Sequence, residues 1–220
     1  MPTNLLTAAV AFILAHRLVS GAPSVRGAFV RRMGERAFQV AFSLLSIVLT
    51  GWLFWAYLAA IPARTLVSPR LVLALALGTN AIACYLIMAG LTTRNPTIAG
   101  LADAARGRDA VHGVIRLTRH PFLVGIVMIA AAHLALVHTL VDWIFFGTLA
   151  LVALTGMSSI DAKRAQTLGH DWEAFREATS VVPGLAMLRG RQSLRWRDIG
   201  LLRPALGLVL FALAGFVHLY

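Results

Sequence analysis

Seven histidines punctuate the chain, at positions 16, 112, 120, 133, 138, 170 and 218, and two of them, His16 and His133, fall within long apolar runs. An ionisable side chain inside a bilayer is costly to keep, which makes it a functional candidate. Two imidazoles presented from facing helices are what axial coordination of a haem iron in a helix bundle requires. The neutral ring also binds iron without bringing net charge into the hydrocarbon, as a carboxylate would. For either histidine taken alone, a hydrogen bond to a neighbouring helix is the plain structural alternative. Depth is the difficulty for the pair. His133 stands about 16 Å into its helix from the basic side, whereas His16 is roughly one turn from that same side. His120 is closer in depth to His16. It is thirteen residues from His133, which on a straight helix places the two on nearly opposite sides.

A second group of residues is Leu117-Thr118-Arg119-His120-Pro121. Proline suits a first helical turn, where its missing N–H costs nothing. Arg119 and His120 then flank a helix N-terminus, where a haem propionate, a phosphate, a carboxylate or a lipid headgroup is favoured. A third stretch, Leu168-Gly169-His170-Asp171-Trp172-Glu173-Ala174-Phe175 followed by Thr179-Ser180-Val181-Val182-Pro183, reads by itself as a solvated amphipathic helix and a turn. No phosphate-binding Gly-rich loop, dinucleotide fingerprint or nucleophile elbow is present. The single cysteine, Cys84, lies in an apolar run and reads as a small core or lipid-facing residue. Asp142 and Asp161 flank one apolar segment at its two ends, too far apart to form a carboxylate pair.

The elements that must position these residues are membrane helices. Of 220 residues 59% are hydrophobic and 13% charged, with a mean hydropathy of +0.77. A soluble domain carries roughly a quarter charged residues. Strands spanning lipid would need a period-two pattern that is absent, so the expected fold is all-α, a polytopic bundle forming one domain over 1–220. Six segments reach spanning length, near 4–20, 38–60, 71–91, 122–140, 142–160 and 200–219. The second group of helical residues outside them, 162–178, is expected as a short polar helix in the interface. Ser20-Gly21-Ala22 resembles a leader cleavage site, but no basic stretch precedes the first apolar run, and His16 and Arg17 interrupt its end.

Charge gives the direction. All but three of the 20 Lys and Arg fall in the loops 17–37, 92–121 and 161–199; Arg64, Arg70 and Arg203 are assigned to the other side. Basic loops stay in the cytoplasm, so both termini are expected outside it, in the periplasm of a bacterial inner membrane. The net charge of +11 is then accounted for by anionic headgroups. Nucleic acid is not expected, because no basic stripe is interleaved with exposed aromatics.

The segment VIRLTRHPFLVGIVMIAAAH, the later GHDWEAFREATSVVPGLAMLRGRQ, His16 before a basic loop, and Gly34-Glu35-Arg36 together resemble the NnrU family and its plant relatives, the 15-cis-zeta-carotene isomerases. The resemblance covers roughly residues 5–192. It implies a polytopic membrane protein. For the plant branch it implies haem b and cis–trans isomerisation of a polyene, with haem histidines that map onto His16 and His133. The plant pattern has a cysteine three residues before the second histidine. Here that residue is Ala130, so a thiolate–imidazole switch is not available at this position. Bacterial members are associated with denitrification, through nitrite and nitric oxide reductases. A partial resemblance to membrane methyltransferases of the isoprenylcysteine carboxyl methyltransferase type rests on the Arg-His-Pro helix start, the Gly-x-x-Trp element and a following proline, with Asp161 near where those enzymes have glutamate. There these parts hold S-adenosylmethionine.

The leading expectation is a haem-b protein with a redox or isomerase role. His16 and His133 are its axial ligands, Arg119 and His120 organise the propionates, and a hydrophobic polyene or a nitrogen-oxide reductase component is the partner. An S-adenosylmethionine-dependent methyltransferase and a non-enzymatic assembly factor for such a reductase are the alternatives.

Overall fold

The computed structural model describes residues 2–61, 69–107, 109–137, 139–193 and 195–217, and every regular element in them is helical. His138, His218, Arg64 and Arg108 lie outside the described residues. Four helices are long and apolar enough to cross a membrane, and two shorter apolar helices pack among them. The chain is therefore a multi-pass membrane protein.

Helix α1 (Pro2–Leu14) runs on without a break into seven residues of π-helix, Ala15–Gly21, and together they make the first span. Such wide turns are rare in long stretches and recur at functional sites; no sequence signal announced this one. α2 (Pro23–Met33) begins on a proline and ends at Gly34, whose φ of +84° only glycine adopts easily. It occupies what reads in the sequence as a loop and has no buried residue. α3 (Glu35–Leu58) and α4 (Arg70–Thr92) follow as full-length spans. Ile47 and Val48 on α3 are 68% and 67% exposed and Leu71 on α4 is 70% exposed. Large aliphatic side chains turned outward in this way face lipid.

After two short 3-10 turns, Ala102–Ala105 and Gly113–Arg116, α5 covers Pro121–Leu134. The span expected over 122–140 stops six residues early: the chain turns at Ala135 and Thr139 caps the next helix. That next helix, α6 (Leu140–Leu168), is 29 residues long and opens on a capping box in which Thr139 and Asp142 satisfy each other's backbone amides. It runs eight residues past the expected boundary and absorbs half of the 162–178 segment. Gly169, at φ +51°, breaks the chain there, and α7 is His170–Ala178. α7 is not an interfacial helix with its apolar side in lipid. Trp172 and Phe175 are 0% and 3% exposed and pack into the protein against Leu86, Ile115 and Met157. α8 (Leu185–Leu188) and α9 (Trp196–Ile199) are single turns leading to α10 (Leu202–Val217).

Small residues let the helices approach. A Cβ on Gly125 of α5 would lie 2.8 Å from the Ala83 carbonyl of α4, and one on Gly90 of α4 would lie 2.7 Å from the Phe122 amide. A Cβ on Gly207 of α10 would meet Tyr85 at 2.7 Å. With no hydrophobic force between helices in lipid, such close backbone packing is what holds them. The buried side chains form two clusters. One joins α1, α3, the end of α5 and the start of α6. The other joins α4, α5, the far part of α6, α7 and the loop between α4 and α5. The second lies at the end of the bundle that carries most of the arginines. Arg203 belongs to that same basic end: it donates to the Asp198 and Ile199 carbonyls, so its assignment to the opposite side is corrected. Arg203 lies in the first turn of α10, where the helix leaves that basic loop.

Candidate functional site

The histidine pair is carried by α1 and α5 in similar local settings. Nδ1 of each ring lies 2.8 Å from the carbonyl four residues back on its own helix, Phe12 for His16 and Ile129 for His133. A carbonyl only accepts, so Nδ1 carries the proton and donates. Nε2 is left with the lone pair, which is the state a metal ligand needs. His16 is half-buried, packs against Phe12 with ring centroids 4.2 Å apart and planes tilted by 38°, and has its Nε2 3.4 Å from the Ser46 hydroxyl of α3. His133 is half-buried and stacks at 4.4 Å on Phe146 of α6.

The two rings are placed at different levels of the bundle. Along α3, Ser46 touches His16, and Tyr57, eleven residues on, packs edge-on against the same Phe146 that His133 stacks on. At 1.5 Å per residue that is about 16 Å. Along α6, Phe146 contacts His133 while Val152, Thr155 and Gly156 share a cavity with His16, which gives about 9 to 15 Å. Axial imidazoles on one metal have their ligating nitrogens only about 4 Å apart, at roughly 2 Å each. Phe12, beside His16, and Phe146, beside His133, belong with Ala130 to one packed apolar cluster. The depth mismatch visible in the sequence is thus present in the fold.

What His16 does face is a cavity of about 640 Å³ at the basic end, between the π-helical stretch, α3 and α6. Its apolar lining includes Phe42, Leu123, Val152 and Ile160, and Arg17 and Lys163 line it toward the basic end. A flat apolar group with anionic arms matches that lining, so His16 fits a haem ligand from one side. His133 is not among the lining residues.

Arg119 and His120 are committed elsewhere. Both are buried, at 9% and 1% exposure, at the start of α5. Arg119 Nη2 and Nε reach Asp161 Oδ2 of α6 at 2.6 and 3.0 Å, and His120 Nε2 reaches Asp161 Oδ1 at 2.7 Å. A carboxylate accepts, so His120 donates from Nε2; Nδ1 is buried and has no partner among the described residues. The neighbouring main chain is tied to the segment after α7: Arg119 N donates to Ser180 O at 2.9 Å, and Thr118 Oγ1 to Val181 O at 2.7 Å. The Arg-His-Pro start and the 169–183 element, far apart in sequence, therefore do meet. They meet as a closed framework, with the cationic donors taken by Asp161. Neither Arg119 nor His120 lines the His16 cavity or the second cavity, of about 560 Å³, beside α7.

Sequence reasoning passed over Asp161 and Lys163 as site residues. The available signal was a lone carboxylate near the end of a long apolar helix, which demands a cationic partner from another element. Lys163 donates to Ser20 O at 2.6 Å and Arg164 to Pro96 O and Ile98 O at 2.7 and 2.9 Å. The last turns of α6 thus tie the loops on three sides.

With this geometry in hand, the comparisons with known proteins are specific. A family model described as NnrU protein matches residues 4–220. The 15-cis-zeta-carotene isomerase, chloroplastic, of Arabidopsis thaliana is 36% identical over 84 residues, which cover 37% of this chain and 22% of that protein. The chain thus matches under a quarter of that relative's length. No solved structure matches. A family match over nearly the whole chain is decisive: the chain belongs to the NnrU family.

Proposed function

We propose that the His16 cavity is the functional site, that it takes haem b, and that the protein is an NnrU-type membrane protein with a redox or polyene cis–trans isomerase role. The observation that carries this reading is the state of His16: Nδ1 is tied to Phe12 O and the ring opens on a cavity with an apolar lining and with cations toward its basic end. The partial likeness to a protein named as a carotene isomerase supports the isomerase branch; association with nitrite or nitric oxide reduction is the branch suggested by the bacterial family. Bound haem would supply a Lewis-acidic, redox-active metal in a water-poor site. The chain's own residues supply the rest. Phe12 O fixes the ring orientation, Phe42 and Leu123 keep water from the apolar lining, and Ser46 holds the Nε2 side until a ligand displaces it. The charge asymmetry supports a reading in which the arginine-rich end faces the cytoplasm and the termini the periplasm of a bacterial inner membrane.

Protein purified in detergent after expression with ample haem is expected to show a Soret band that shifts on dithionite reduction. His16→Ala is expected to lose it. His133→Ala is expected to keep it, because His133 is held about 9–16 Å away along the helices; loss in that variant would mean the bundle closes to bring a second imidazole to the iron. A colourless wild-type protein sinks the reading. Methyl-donor binding through Arg119 and His120 is not favoured, since Asp161 already holds their donors.

A further inference from the structure

The walls of the His16 cavity hold a one-sided set of charges. Arg17 and Lys163 line it, and no aspartate or glutamate does. The 560 Å³ cavity beside α7 is the contrast, because Asp109, Asp171 and Asp198 line it together with Arg116 and Arg195. The donors around His16 are also largely uncommitted. Arg17 is exposed and, among the described residues, has no hydrogen bond or ion pair. Lys163 uses one of its three N–H donors, on Ser20 O. Gln166 and Ser159 line the same wall, and their side chains are likewise without partners among the described residues. The same cavity is lined by the apolar Phe42, Leu123, Val152 and Ile160, with Val152 on α6 about 16 Å of helix rise from Lys163. A cavity with cations and amide donors, an apolar lining and no carboxylate selects amphiphiles by an anionic end.

We propose that this cavity recognises an anionic amphiphile, with Arg17 and Lys163 holding a carboxylate or phosphate while its apolar body lies over Phe42 and Leu123. The proposal rests on the assignment of the cavity as the functional site, not on haem being its occupant. It moves anion recognition from Arg119 and His120 to two residues on the first and sixth helical segments. The same chemistry fits the propionates of a haem or the headgroup of an anionic phospholipid, and the test separates the two.

The full chain is placed in phosphatidylcholine nanodiscs and titrated with haem b and with haem dimethyl ester, which lacks free carboxylates. In parallel, retention of phosphatidylglycerol from mixed nanodiscs is followed by native mass spectrometry. The variants are Arg17→Gln with Lys163→Met, and separately Gln166→Glu, which adds a carboxylate at an exposed, uncommitted position and leaves the packing alone. For haem as occupant, both variants weaken haem b about tenfold and leave the ester unchanged. For lipid as occupant, wild type retains phosphatidylglycerol and the variants do not; haem then binds nowhere, and the functional reading falls while this one stands. Wild type that binds haem b and its ester equally, with no lipid retention, overturns this proposal and leaves the haem reading intact. Wild type that binds neither haem nor phosphatidylglycerol overturns both.

Discussion

Two polar sites lie on α6 within a turn of each other, and they are built on opposite plans. At Asp161 the charges cancel: one carboxylate receives Arg119 and His120, all are largely buried, and the surrounding main chain is closed by Ser180 and Val181. At the His16 cavity, Arg17, Gln166 and two N–H groups of Lys163 have no acceptor among the described residues. A polar group in a membrane protein is retained either because it completes a framework or because something outside the chain completes it. The same helix supplies one instance of each, so partner count separates the holding residues from the receiving ones better than residue type does. Histidine itself appears on both sides, as His120 and as His16.

The sharpest way to break that contrast is Asp161→Ala. It strands a buried arginine and is expected to cost about 3–5 kcal/mol, read as a lowered unfolding midpoint in detergent. Gln166→Glu, one turn further on, should change stability by less than about 0.5 kcal/mol. Comparable losses in the two would erase the distinction. A smaller effect tests the platform under both sites. Gly125→Ala on α5 drives a Cβ onto the Ala83 carbonyl and is expected to cost about 1–3 kcal/mol, since backbone cannot yield as a flexible side chain can. Because Leu123 lines the cavity and His120 begins the same helix, that variant should disturb both sites. The smallest effect lies outside the membrane. Arg116 Nε bonds Asp198 at 3.0 Å and holds its carboxyl below the usual carboxylate range. The folded value is lowered, so this tie contributes fully above about pH 4 and is lost as pH falls through the lowered value. The stability difference between wild type and Arg116→Gln is expected to be constant near neutrality and to vanish in acid.

Hydropathy located six apolar helices and loop charge located the basic end, because both are properties of single segments. The failures are all relations between segments. The helix over 122–140 ends at Leu134 since Thr139 and Asp142 are paired as a cap, and the polar 162–178 segment divides at Gly169 because Trp172 and Phe175 are needed in the core. His16 and His133 were legible as unusual residues, and their unequal depth was legible too. Their packing against Phe12 and Phe146 was not, since it depends on how α1, α3 and α6 lie together. The partnership of Asp161 with Arg119 spans 42 positions and leaves no trace in local pattern.

Asp142 and Asp161 stand at opposite ends of one helix. They are 19 residues apart on α6, which is about 28 Å of rise, close to the roughly 30 Å thickness of bilayer hydrocarbon. Each is anchored to other helices, Asp142 by the Tyr57 hydroxyl at 2.9 Å and Asp161 by Arg119 and His120. The two carboxylates therefore stand about one hydrocarbon thickness apart on a single helix, and each is closed by partners inside the bundle.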